Sequence, residues 1–132
     1  MGNEEVLRRG EVQYMSAGRG VFHSEFNNSS KKTRIIQIWI LPDKKGYTPV
    51  YGSYKFKYEE RKNKLLKIVS GQNGDAPIKI NQNAEIYVNE ADRGDIQNIT
   101  FNVKDKVYFK VIEGEARVNG TVIEEKEAAI VS

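Results

Sequence analysis

Gly10-Glu11-Val12-Gln13-Tyr14-Met15-Ser16-Ala17-Gly18-Arg19-Gly20-Val21-Phe22-His23-Ser24-Glu25-Phe26-Asn27 reads as two strand-forming runs, 12–15 and 20–25, about a glycine-rich break. Gly18-Arg19-Gly20 is too short for a phosphate loop and no helical pattern follows it, so it is read as a turn. On a strand, residues two apart share a face. His23, the single histidine of the chain, would therefore present its imidazole beside the Glu25 carboxylate. Iron(II), manganese, nickel and zinc all accept such donors. The bland reading is a strand on which both side chains face solvent or bond to neighbours, and the residues alone leave both readings open. Ser24 has no second histidine to activate it as a nucleophile.

Outward from this stretch the pattern stays β-like. Further strands are expected over 35–41, 67–69, 78–80, 85–88, 95–103, 106–112, 115–118, 121–123 and 128–131. In Ile35-Ile36-Gln37-Ile38-Trp39-Ile40-Leu41 nearly every residue is apolar, which predicts a strand covered on both faces in the middle of the structure. Trp39 and the Tyr and Phe residues are read as core filler rather than stacking platforms. Asn119-Gly120, between Val118 and Thr121, is a two-residue hairpin signal. Between Tyr58 and Leu66 the spacing changes to that of one or two helical turns, with Glu59 and Glu60 early and Lys64 late to suit the helix dipole. Ser70-Gly71-Gln72-Asn73-Gly74-Asp75 then requires a tight loop. The result is an all-β chain with one short linker helix and a boundary between Lys55 and Asp75. Each of the two small β-rich lobes must lean on the other or on a partner, since an isolated sheet would leave one apolar face bare.

With 132 residues the chain has the size of one ordinary domain. Its 39% hydrophobic and 30% charged residues are those of a folding globular protein. The net charge of +3 is spread in short groups, Lys31-Lys32 with Arg34 and Arg61-Lys62-Asn63-Lys64, read as solvated faces, so no nucleic-acid partner is expected. The absence of cysteine excludes disulfides, thiolate catalysis and sulfur-ligated metals. No apolar run approaches the roughly 20 residues that span a bilayer. The start, Met1-Gly2-Asn3-Glu4-Glu5, is acidic where a signal peptide is basic and then apolar. A cytoplasmic protein with no membrane partner is the expectation.

Residues 10–27 resemble the second conserved motif of the cupins, in which glycines, a metal-binding histidine and an asparagine follow in order. The wording Met-Ser-Ala-Gly-Arg-Gly-Val-x-His-Ser-Glu is similar to that of the pirin family of bicupins. That resemblance implies that His23 and Glu25 are metal ligands, and that in an active member Glu25 would act as the base toward substrate. Gln37-Ile38-Trp39-Ile40-Leu41-Pro42-Asp43-Lys44-Lys45-Gly46-Tyr47-Thr48-Pro49 is similar to the pirin segment that leaves the first barrel. Ile112-Glu113-Gly114-Glu115-Ala116-Arg117-Val118-Asn119-Gly120 resembles a hairpin of the second barrel. The implied fold is a cupin-like fragment of a bicupin, a double-stranded β-helix or jelly roll. Residues 1–57 form the C-terminal half of the first barrel, 58–75 a linker helix and loop, and 76–132 a partial second lobe.

The resemblance also implies what is missing. Pirins draw two further ligands from an earlier His-x-His motif, whereas this chain has no other histidine and Met1-Gly2-Asn3 aligns with the middle of a pirin domain. Two donors fall short of the three or four that hold a transition metal tightly. The expected function is therefore that of a truncated pirin-like module with an incomplete metal site, non-catalytic and self-associating or partner-binding. A homodimer or higher oligomer would form through exposed strands. The alternative is a metal-dependent quercetin 2,3-dioxygenase type of enzyme, with iron(II) or another divalent metal on His23 and Glu25 and Glu25 as base, completed by oligomerisation or a second chain.

Overall fold

A computed structural model describes residues 4–102 and 104–131. The chain divides into two compact units, Met1–Gln97 and Asn98–Ser132.

In the first unit, β1 (Glu11–Ser16) pairs antiparallel with β2 (Val50–Lys55), in a register that sets Tyr14 opposite Gly52. A Cβ on Gly52 would meet the Tyr14 ring, so glycine lets the phenol lie flat across the neighbouring strand. One helical turn, α1 (Tyr58–Arg61), follows. The Lys57 backbone N–H donates to the Glu60 carboxylate at its start, and the Lys62 N–H closes the turn on the Tyr58 carbonyl. This is the expected turn of helix, shortened to four residues because Asn63 leaves it with φ +51°.

β3 (Leu66–Gly71) lies between β4 (Ile78–Ile80), to which it runs parallel, and β5 (Ile86–Val88), to which it runs antiparallel. Ile68, Val69 and Ser70 are buried in succession, so both faces of β3 are covered, as befits a central strand. Phe56, Ile68, Val69 and Ile78 form the core, joined by Val12 and Tyr14 of β1 and by Leu66, Ile80, Ile86 and Val88. Ser70 is fully buried, and its Oγ accepts from the Ala76 N–H and from the Lys79 ammonium, which ties down the loop to β4.

In the second unit, β6 (Val107–Lys110) pairs antiparallel with β9 (Ala128–Val131), and β7 (Ala116–Val118) with β8 (Thr121–Ile123). Asn119 and Gly120 have φ of +47° and +88°, the left-handed pair that a two-residue hairpin turn requires. Val111 and Ile123 are buried here.

The architecture is all-β with one short helix, as the patterning predicted, but three of the expected strands are not formed. Residues 20–25 and 35–41 join no ladder, and neither do 95–102, the described part of the run expected over 95–103; Val103 lies outside the described residues. So do Met1, Gly2 and Asn3. The run at 35–41 corrects the expectation most sharply. Instead of a doubly covered central strand it is an extended, exposed segment, with Trp39 82% accessible. A strand needs a neighbour to satisfy its backbone groups, and no described strand lies alongside. Trp39, Phe22 and Phe26 are consequently not core filler, whereas Tyr14 and Phe56 are. β2 was missed because Gly52 and Ser53 interrupt its apolar alternation.

Candidate functional site

Between the end of β1 at Ser16 and the start of β2 at Val50 lies a 33-residue excursion, residues 17–49, without a strand or a helix. Its two ends are pinched together. Gly18, at φ +52°, packs against the Tyr47 carbonyl and the Pro49 ring, and the Gly20 N–H donates to the Ala17 carbonyl at 2.7 Å, which confirms the expected turn. An Asn27 side chain that accepts from Ser29 and donates to the Lys31 carbonyl shapes a second turn. The far end is anchored where the Gln82 amide donates to the Leu41 carbonyl and the Asp43 N–H donates to the Asn81 carbonyl.

His23 and Glu25 both lie on this excursion. Their side chains do come together, with Nε2 and Oε1 3.9 Å apart. They do so on irregular, exposed chain rather than on the face of a strand, with 35% and 42% of the two side chains accessible. The i, i+2 spacing still brings the groups within reach, because extended chain keeps that alternation without a ladder. Among the described residues no third His, Cys, Asp or Glu joins them in a group able to hold a metal ion.

A hollow of about 410 Å³ lined by Glu5, Val6, Arg8, Glu11, Ser53, Tyr54 and Lys55 includes neither His23 nor Glu25. Its acidic groups are already engaged: Glu5 accepts from the Tyr51 and Ser53 hydroxyls, and Glu11 accepts from the Arg8 N–H and pairs with Lys55. The Arg8 N–H and the Lys55 ammonium hold the Glu11 carboxyl below its ordinary range.

The sequence reading treated Arg61 as part of a solvated basic run. The structure buries it: the guanidinium donates to Glu90 Oε1 at 2.6 Å and to the Phe56 carbonyl at 2.9 Å. Lys62 and Asn63 meanwhile bond Asp92. The acidic partners lie 29 to 30 residues away, so nothing in the local pattern could have revealed them.

Comparison with known proteins gives this arrangement a family. Residues 67–132 match the sequence profile described as the Quercetinase C-terminal cupin domain, and residues 1–40 match the profile described as Pirin. The β-rich architecture and the first of these matches, which covers half of the chain, define a cupin protein. The chain belongs to the pirin family. A quercetin 2,3-dioxygenase of Escherichia coli is 35% identical over 123 residues, 91% of this chain and 51% of that protein. A pirin-like protein of Caulobacter vibrioides is 32% identical over 130 residues, 98% of this chain and 56% of the relative. A Pseudomonas aeruginosa relative is 33% identical over 132 residues, 99% and 57% of the two chains. The chain thus spans about half the length of the curated relatives it matches. No solved structure matches it at a significant level.

Family membership implies a metal-dependent cupin. The described residues do not by themselves fit such a centre, because His23 and Glu25 offer two donors on open chain where three or four enclosing ligands are required. No helix of the described chain is long and apolar enough to cross a membrane.

Proposed function

We propose that this polypeptide acts as a non-catalytic pirin-type cupin module that associates through unpaired β-structure, with a second copy of itself or with a protein partner. The observation that carries this reading is the set of unfilled strand positions. β1 and β2 form a two-stranded sheet in which each has an edge with no strand neighbour among the described residues, and the strand-forming run 35–41 has none at all. Open edges of this kind are completed by β-addition. The two-donor His23–Glu25 pair adds support, since among the described residues no third donor joins it to make the ligand set that catalysis by a resident metal needs. The test is light scattering together with elemental analysis of the purified chain at micromolar concentration. A mass of at least two 15.1 kDa chains, with metal well below one ion per chain, is expected. A stable monomer holding one metal per chain overturns it.

The 3.9 Å approach of His23 to Glu25 favours a second reading, a quercetin 2,3-dioxygenase type of enzyme whose metal site is completed by another chain, with His23 as ligand and Glu25 as base toward a substrate hydroxyl. Oxygen-dependent cleavage of quercetin by the chain with added iron(II), lost in His23→Ala, would establish that reading in place of the first.

A further inference from the structure

Asn73 and Asn119 are the two asparagines of the chain that precede a glycine. The following residue matters chemically, because a glycine, having no Cβ, lets its backbone nitrogen close on the asparagine side-chain carbonyl. That closure expels ammonia and leaves a five-membered cyclic imide, which water reopens to aspartate or to isoaspartate. The ring contains the Cα–C bond of the asparagine, so it fixes ψ outside the values of ordinary turns and forms only where the local chain can open.

The fold treats the two pairs oppositely. Asn73 lies in the loop from β3 to β4, where the Gly74 N–H donates to the Gly71 carbonyl at 3.0 Å and the Gly74 carbonyl accepts from the Lys79 ammonium. A Cβ on Gly74 would strike the fully buried Ser70, whose Oγ holds the Ala76 N–H. Lys67 on Asp75 and the Gln72 amide on Asn81 close the rest of the loop. The nitrogen that would attack is therefore hydrogen-bonded within a loop tied to β3, the central strand of its sheet and part of the core. Opening there is costly.

Asn119 sits at the tip of the hairpin between β7 and β8, a separate two-stranded sheet of three residue pairs. Asn119 and Gly120 are exposed, and a Cβ on Gly120 would meet nothing within 4 Å. Among the described residues neither the Asn119 side-chain amide nor the Gly120 N–H makes a hydrogen bond. A two-stranded ribbon of this length is marginal by itself and frays readily.

We infer that Asn119 is a site of spontaneous deamidation and isomerisation in the folded protein, and that the fold shields Asn73 from the same reaction. The Gly120 nitrogen bonds to Asn119 Cγ as the Cγ–Nδ2 bond breaks, and the Gly120 amide proton leaves by way of solvent with the departing group as ammonia. One water then opens the imide at either carbonyl, with no oxidant or reductant involved. Aspartate keeps the path of the chain and adds one negative charge, lowering the formal +3 by one. Isoaspartate adds a main-chain carbon to a turn with room for two residues, which breaks the Val118–Thr121 pairing of the hairpin.

The test uses the full chain, kept folded in mildly alkaline buffer and, in parallel, unfolded in urea, with samples digested by trypsin at intervals. Cleavage after Lys and Arg places the two sites on separate peptides, 68–79 and 118–126. Each deamidation adds about 1 Da to its peptide, and isoaspartate is detected by its methylation with isoaspartyl methyltransferase. In the folded chain, peptide 118–126 is expected to gain mass at least about tenfold faster than 68–79, and in urea the two rates should agree within about threefold, because structure no longer separates them. The methyltransferase should label 118–126 of the folded sample, and Asn119→Gln should remove both the label and the mass gain there.

An equal or faster reaction of 68–79 in the folded chain overturns the inference. So does a 118–126 peptide that stays intact while the urea sample reacts. A tenfold difference that persists in urea overturns it as well, since its origin would then lie in the flanking residues and not in the fold.

Discussion

Arg61 donates from Nε to Glu90 Oε1 at 2.6 Å, joining the end of the single helical turn to the residue just beyond β5. Arg9 reaches the other oxygen of the same carboxylate at 3.1 Å, so Glu90 ties the N-terminal arm and the helix together. Burial alone would raise the Glu90 pKa, but the two guanidinium bonds outweigh it and hold the carboxyl below its ordinary 4.5. Glu90→Gln is expected to cost about 2 kcal/mol at neutral pH, since it leaves the largely buried Arg61 without its counter-charge. A carboxylate with a lowered folded pKa contributes stability that is complete above the unfolded value and is lost as pH falls through the folded one. The gap between wild type and Glu90→Gln in urea unfolding should therefore be constant above 4.5 and close at lower pH. A gap that persists well below the folded pKa would contradict the ionic account.

Ile78 is 1% exposed and fills the core between β3 and β4, whereas Trp39 touches little. Ile78→Ala is expected to destabilise by about 3 kcal/mol through lost burial and the cavity left behind. Trp39→Ala should stay within about 0.5 kcal/mol of wild type. Thermal or urea unfolding of the two variants checks this pair, and a large loss for Trp39→Ala would mean that the segment is packed.

Gly10 has φ +83°, and a Cβ there would sit within 3 Å of the Arg61 guanidinium; Gly46 has φ +86° with open space around it. Alanine at Gly46 should cost only the left-handed strain, about 1 kcal/mol. At Gly10 it should cost more, about 2 kcal/mol, because the Arg61–Glu90 bond must also shift. Equal losses at the two positions would separate Gly10 from the ion pair.

Two exposed donors hold zinc or iron(II) weakly, so an added metal below its dissociation constant stabilises by less than about 0.4 kcal/mol. Submillimolar zinc should accordingly leave the unfolding midpoint of wild type and of His23→Ala the same. A midpoint that rises with metal in wild type alone would reveal further ligands.

Much of the architecture was legible from short-range pattern. Asn119-Gly120 marked the β7–β8 hairpin because only such residues adopt two successive left-handed conformations cheaply. The helical turn at Tyr58–Arg61 and the strands at β1 and β3 through β9 followed from spacing and composition. Residues 35–41 were misjudged for an instructive reason: hydrophobicity states that a segment is fit to be covered, and only a neighbour in space decides whether it is. The doubly covered strand turned out to be β3, whose Ser70 hid its buried character.

The order of residues alone determined the β-rich class, the family signature at 10–27 and the i, i+2 spacing of His23 and Glu25, since each depends on local pattern or on counting. The burial of Arg61 against Glu90, the pairing of β1 with β2 across 33 residues and the exposure of the isoleucine-rich run were decided only by the tertiary structure. Those features arise from contacts between segments far apart in the chain, and no periodicity within one segment encodes which distant neighbour will satisfy its backbone and side chains.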